Sequence, residues 1–283
     1  MTPIILTGTI EHGEGKGHLA GFPTANLRPE AAALPQYGVY ASVLVTEDSI
    51  LRPGVTNVGT RPTADHSATP TVETWLPGYE GNLYGQYVTL ILLKYLRGIQ
   101  AFEDMSALKA QIDRDVESAS AITNAFIANS AVSHSPEETR EVGRYIAPYL
   151  ETGDVLTLQG HLGAGKSEFA RGIARGFGVQ GALPSPTFTI LNVYDSGRLP
   201  LYHYDWYRIE DPEELIAIGA EEHLPGDGVT LVEWAEQAPD LLPEKRLEVC
   251  LLPMNDRTRI ICFEPLGGFR PMNEWLTELK SQC

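Results

Sequence analysis

Gly160-His161-Leu162-Gly163-Ala164-Gly165-Lys166-Ser167 satisfies G-x-x-x-x-G-K-[ST], the spacing at which successive backbone N–H groups curl around a phosphate. The chemistry this pattern offers is binding of ATP or GTP. A β-like run at 154–159 leads into it, and 168–177 follows as a helix with Phe169, Ile173 and Phe177 every fourth residue and Gly178 as the stop. A triphosphate would then sit on a helix N-terminus, where unpaired N–H groups favour negative charge. The loop backbone at Gly160, Gly163, Ala164 and Gly165 would cradle it. Lys166 would reach the β- and γ-phosphates, and the Ser167 hydroxyl would join a Mg²⁺ shell.

Further stretches carry groups that such a site uses. Ser185-Pro186-Thr187-Phe188 is a hydroxyl-bearing turn able to bring Thr187 to Mg²⁺ or a γ-phosphate, although alone it is a capped strand start. The run 201–204 leads into Asp205, and the apolar run 229–232 delivers Glu233 and Trp234. A carboxylate ending a buried strand beside a phosphate loop can hold a metal-bound water or orient the attacking one. Either acid by itself is an ordinary strand-end residue; in company with the loop, function is the better reading. Earlier in the chain, Gly21-Phe22-Pro23-Thr24-Ala25-Asn26-Leu27 offers two oxygen ligands, Thr24 and Asn26, on one side of a stiffened turn. Gly13, Gly15, Gly17 and Gly21, around Lys16 and His18, could form a flap over phosphates. Read without its neighbours this is a β-turn loop. Glu73 lies on the face opposite Val72, Thr74 and Leu76, where a lone glutamate is usually just solvated.

The elements that must position these groups divide in two. Residues 1–100 hold short β-like runs at 4–9, 38–45, 72–76 and 87–95, broken by Gly and Pro, which predicts a small β-barrel or sandwich. Residues 102–118 are helical in pattern, with Leu108, Ile112 and Val116 on one face. The uncharged stretch 119–133 is either a helix tail or a linker, and the expected division is 1–120, a linker at 121–132, and 133–283. Ser135-Pro136-Glu137-Glu138 opens the second half with an N-cap, a first-turn proline and a capping-box glutamate. Strand and helix then alternate, as in an α/β nucleotide-binding domain. Residues 253–283 end in a strand-like run and a helix to which no chemistry attaches.

Bulk composition narrows the classes. The chain has 283 residues and a net charge of −16, with 8 basic against 13 acidic residues in 1–120 and 13 against 24 in 133–283. Neither half offers the broad basic surface of direct nucleic-acid binding, so any tRNA connection would run through a partner. No run approaches eighteen apolar residues, so no membrane span is expected, and no secretory signal opens the chain. Three widely spaced cysteines suit a reducing cytoplasm.

The motifs resemble two families. GHLGAGKS, SPTFT, HYDWYR and VEWAE, in that order, resemble the bacterial ATPase of tRNA threonylcarbamoyladenosine biosynthesis over 133–252. The resemblance implies slow ATP hydrolysis in a complex with the threonylcarbamoyl transferase and its non-catalytic paralogue, which modify adenosine 37 of tRNA. It implies Lys166 and Ser167 as phosphate and Mg²⁺ ligands, Thr187, Asp205 and Glu233 around metal and attacking water, and Trp234 beside the nucleotide. That family usually has Asp at the position of His161. GFPTANL, GVYA, GVTNVGTRPT, the Val-Glu at 72–73, LYG, YLR and LKAQIDRDV resemble riboflavin kinase over 1–120. This implies a six-stranded barrel that transfers the γ-phosphate of ATP to the riboflavin 5′-hydroxyl, yielding ADP and FMN. It implies Thr24 and Asn26 on Mg²⁺ and phosphate, with Gly21 and Lys16 beside the nucleotide and Glu73 as general base. Its flap usually carries arginines where Lys16 and His18 stand. No adenylyltransferase domain precedes it, so FAD synthesis is not expected. The combined expectation is a multi-domain α and β protein: a riboflavin-kinase-like barrel with a C-terminal helix, then an α/β P-loop domain. A flavin-binding regulatory module attached to the ATPase is the alternative; a small-molecule kinase in the second half lacks an arginine-rich lid.

Overall fold

The first six strands close on themselves; in several of them buried and less buried residues alternate, while the third is buried along its whole length. In the computed structural model, which describes residues 3–13, 22–30, 33–60 and 70–282, they are β1 (Ile4–Glu11), β2 (Thr24–Pro29), β3 (Gly38–Val45), β4 (Leu51–Gly59), β5 (Thr71–Trp75) and β6 (Tyr87–Arg97). They form a closed barrel in the order β1-β2-β5-β4-β3-β6, every pair antiparallel. Leu6, Ile10, Leu27, Leu44, Val58, Val72, Leu90 and Leu92 fill it. Three hydroxyls interrupt this apolar interior in a chain, Ser42 to Thr56 at 2.7 Å and Thr56 to Thr74 at 2.8 Å. Each satisfies the next, as burial demands, and together they pin the register of three strands.

A helix, α1 (Met105–Ala128), follows the barrel. It is tied to β6 by a fork in which Arg97 Nε donates to Asp115 Oδ1 at 2.9 Å and Nη2 to Oδ2 at 2.7 Å, while Gln111 Nε2 donates to Oδ1 at 2.8 Å. Leu108, Ile112 and Val116 are half-buried; the fully buried line is Asp115, Ala119 and Thr123.

The expected linker at 121–132 is corrected. Residues 121–128 are the last two turns of α1, and most of the remainder is a strand, β7 (Ser130–Ser133). The physical reason is local: the stretch is alanine-rich and holds no Gly or Pro, so nothing stops the helix until Asn129. The chain divides into two compact units, Met1–Ile127 and Ala128–Cys283.

The second unit is a mixed sheet of seven strands in the order β7-β13-β12-β8-β11-β10-β9. The added strands are β8 (Val155–Gln159), β9 (Leu191–Tyr194), β10 (Leu201–Asp205), β11 (Val229–Glu233), β12 (Arg246–Pro253) and β13 (Arg259–Leu266). β12, β8, β11 and β10 are parallel; β7, β13 and β9 join antiparallel. Its helices are α2 (Pro136–Ile146), α3 (Lys166–Gly176), the short α4 (Glu213–Ala217) and α5 (Asn273–Gln282). Ser135 caps α2, its hydroxyl accepting from Glu138 N at 3.0 Å, and the Glu138 carboxylate accepts in return from His134 N at 2.7 Å.

The final segment, opaque in sequence, completes the core: Phe263, Phe269, Met272, Trp275, Leu276 and Leu279 pack with Leu156, Phe169 and Ile173. Arg270 forks onto buried Asp154 at the foot of β8, with Nη1 2.9 Å from Oδ1, and its Nη2 donates to Tyr149 O at 2.6 Å. Among the described residues no helix is long and apolar enough to cross a membrane.

Candidate functional site

Strand ends decide where the second unit can hold a ligand. β8, β11 and β10 lie parallel and adjacent, so their carboxyl ends open on one edge of the sheet, the usual crevice for a ligand in such a fold. β8 delivers the glycine loop and α3. β10 ends in Asp205 and β11 in Glu233, which are register partners. Both acids are buried.

The loop takes shapes that only glycine accepts cheaply. Gly160 has φ 140° and a Cβ there would stand 2.7 Å from Leu251 O; Gly165, at φ 111°, starts α3 from the left-handed region. Lys166 folds back: its Nζ donates to Gly160 O at 2.6 Å and His161 O at 3.2 Å, and lies 4.3 Å from the Trp234 ring centre. Burial pushes the Lys166 ammonium below its ordinary range, against the pull of Glu233, Glu236 and Asp205. Trp234 sits at φ 59°, a left-handed conformation that turns the chain sharply after β11.

The polar groups form two sets. In one, Ser167 Oγ donates to Glu233 Oε1 at 3.1 Å, and His203 Nε2 lies 3.0 Å from the same oxygen. In the other, Thr187 Oγ1 donates to Asp205 Oδ2 at 2.6 Å while Tyr207 N donates to Oδ1 at 3.0 Å. Ser185 Oγ lies 2.9 Å from the Thr187 hydroxyl. The parallel register sets the two acids side by side, so Ser167, Thr187, Asp205 and Glu233 make an oxygen-only donor set. Hard oxygen ligands that leave room for waters and phosphates suit Mg²⁺, and the residues present fit that ion.

The first unit builds its polar group differently. Asn26 on β2 and Asn57 on β4 are both register partners of Glu73 on β5, and Thr24 pairs with Trp75. Because Val72 and Thr74 are buried inside the barrel, Glu73, Asn26, Asn57 and Thr24 all lie on its outer face, half-buried. Thr71 Oγ1 donates to Glu73 Oε1 at 3.2 Å, and Asn26 Nδ2 to Thr24 O at 3.2 Å. Lys16, His18 and Gly21 lie outside the described residues, as do Arg61, Pro62 and Thr63 of GVTNVGTRPT.

Sequence reading gave no role to His203, Asn57 or Arg259. The first two stand inside quoted motifs, so their spacing from Asp205 and Glu73 was available as a signal; Arg259 had none.

A family model described as threonylcarbamoyl adenosine biosynthesis protein TsaE matches residues 133–261, and one described as riboflavin kinase matches residues 1–123. The TsaE protein of Bacillus subtilis is 45% identical over 134 residues, which are 47% of this chain and 84% of that protein. The crystal structure of Bacillus subtilis YdiB is similar at 36% identity over 54% of this chain and 94% of its own, with a TM-score of 0.45. The crystal structure of riboflavin kinase from Trypanosoma brucei covers 44% of this chain and 82% of its own at 21% identity, with a TM-score of 0.31.

Proposed function

The chain belongs to the TsaE family through residues 133–261 and carries a riboflavin kinase domain over 1–123, and from that premise we propose that it runs two ATP-dependent reactions. The second unit hydrolyses ATP in support of threonylcarbamoyladenosine formation on tRNA. The first phosphorylates riboflavin to FMN.

In the second unit the triphosphate lies on the N-terminus of α3, against the backbone of Gly160, Gly163, Ala164 and Gly165. Lys166 exchanges the carbonyls of Gly160 and His161 for the β- and γ-phosphates, and Trp234 flanks the nucleotide. Ser167, Thr187, Asp205 and Glu233 would hold Mg²⁺, which supplies charge neutralisation of the phosphates when bound. Asp205 and Glu233 orient the water whose oxygen attacks the γ-phosphorus as the bond to the β–γ bridging oxygen breaks. The observation that most supports this reading is Ser167 already bonded to Glu233, with Asp205 on the next strand. Leu162 and Phe188, exposed beside the phosphate loop and Thr187, give the transferase complex an apolar contact. Transfer RNA is engaged through that complex, in the cytoplasm.

In the first unit Glu73 accepts the proton of the riboflavin 5′-hydroxyl as its oxygen attacks the γ-phosphorus and ADP leaves. Thr24 and Asn26 serve metal and phosphate, with Lys16 and Gly21 completing the nucleotide contact. The register that places Asn26 and Asn57 on either side of Glu73 supports this.

The test uses the full chain. Riboflavin with Mg-ATP should yield FMN by chromatography, and ATP should be consumed slowly when riboflavin is omitted. Riboflavin bound but never converted would favour the regulatory-module reading of the barrel. Failure to stimulate tRNA modification when added to the transferase and its paralogue would remove the role assigned to the second unit.

A further inference from the structure

Four backbone carbonyls converge on one guanidinium behind the phosphate loop. Arg259 opens β13, and its Nη1 donates to Asn255 O at 3.1 Å and Asp256 O at 2.9 Å, anchoring it to the turn between β12 and β13. Its other nitrogens face the glycine loop: Nε donates to Ala164 O at 3.3 Å and Nη2 to Gly163 O at 3.4 Å. A Cβ built on Gly165 would lie 3.9 Å from Arg259 Nε, so the guanidinium stands directly against the loop.

A peptide unit is planar, and its C=O and N–H point in opposite directions. Holding Ala164 O outward on Arg259 therefore turns the N–H of Gly165 the other way, toward the concave side. The N–H of Ala164 already donates to His161 O at 3.0 Å, so the hold on Gly163 O from the other side of that peptide braces this turn of the loop. Lys166 and the helix dipole attract an anion, but neither orients these two peptides. A planar fork with donors on separate nitrogens can hold two adjacent carbonyls together; an ammonium cannot.

We propose that Arg259 is a positioning residue for nucleotide binding, fixing the phosphate loop as an anion-binding nest from behind without touching the nucleotide. This deepens the ATPase reading of the second unit and rests on it. Asp205 and Glu233 stand on other strands, so the effect falls on binding and spares the chemical step.

The experiment measures KM and kcat for Mg-ATP hydrolysis by the full chain without riboflavin, which keeps the barrel's reaction silent. Affinity for a fluorescent ATP analogue is taken as the component lost in Lys166→Ala. Arg259→Ala should raise KM and Kd about tenfold with kcat within about twofold, the scale of one charge-assisted hydrogen-bond site. Arg259→Lys, the milder change, should fall between parent and Ala, because charge returns but the fork does not. Unchanged KM and Kd in both variants would overturn the proposal. So would parallel losses of kcat and thermal midpoint, or full recovery in Arg259→Lys, each of which assigns the residue a bulk structural or purely electrostatic role. If the parent has no nucleotide binding or hydrolysis that Lys166→Ala removes, the ATPase reading itself fails and takes the proposal with it.

Discussion

The two units assemble the polar groups of their proposed sites in opposite ways. In the second, they come from loops and from the carboxyl ends of parallel strands; Asp205 and Glu233 are buried, and the half-buried Thr187 and Ser167 already donate to them. In the first, Asn26, Glu73 and Asn57 sit in mid-strand on the outer face of a barrel, brought together only by antiparallel register. A loop site is set by the order in which strands end. A mid-strand site is set by pairing, and a slip of one residue would send Glu73 into the barrel interior. The units share one device: each ties its last helical segment back with an arginine forked onto a buried aspartate, Arg97 on Asp115 and Arg270 on Asp154.

The sharpest way to break the comparison is to disable one site and assay both. Glu73→Gln keeps shape and reach but cannot accept the proton at neutral pH, so FMN formation should fall by about 10²–10⁴-fold. Riboflavin-independent ATP hydrolysis should stay at the parent rate. Lys166→Ala should cut that hydrolysis by about 10²–10³-fold, the cost of one preorganised charge-stabilising donor, and leave FMN formation intact. Loss of FMN formation in a folded Lys166→Ala chain would mean that the barrel has no nucleotide site of its own.

The shared Arg–Asp device gives a smaller effect. Residues 1–128 and 129–283, expressed separately, should each unfold cooperatively in urea. Arg97→Met should destabilise only the first, and Arg270→Met only the second, by about 2 kcal/mol each. That is below the cost of breaking a fully buried pair, because both guanidiniums keep partial access to water. A fragment without a cooperative transition would refute the division into two folding units. Smallest is His161→Asp, which adds a carboxylate beside the phosphates and should change kcat severalfold while affinity stays within about twofold. An altered affinity with equal kcat would run against it.

The phosphate loop was legible because its signals are local, whereas Thr24, Asn26 and Glu73 stood out only through the family resemblance, since strand register is what brings them together. The phosphate loop needs consecutive N–H groups and glycines at positive φ, and both are written in eight adjacent residues. The cap of α2 is similarly contained in Ser135 to Glu138. Four of the six barrel strands showed themselves as β-like runs; β4 did not, and the Thr24–Asn26 part of β2, read as a turn behind Pro23, is extended because it pairs with β1 and β5. The stretch 121–132 was ambiguous because a helix tail and a linker look alike when no residue breaks the pattern.

What tertiary structure alone decided are pairings across long separations. Ser130–Ser133 became a strand because β13, some 130 residues on, offers it an edge. Cys250 and Cys262, twelve apart and unremarkable in spacing, face each other across the β12–β13 hairpin as free thiols, their pKa values pushed up by burial to about 12 and about 11. His203 meets Glu233 because β10 and β11 run parallel in one register, and Arg259 reaches the phosphate loop because β12 lies between β13 and β8. The residue types and the loop chemistry were determined by the sequence itself, through the backbone conformations each short segment can adopt. Which distant groups touch was decided by the sheet, whose strand order follows from burying both faces at once.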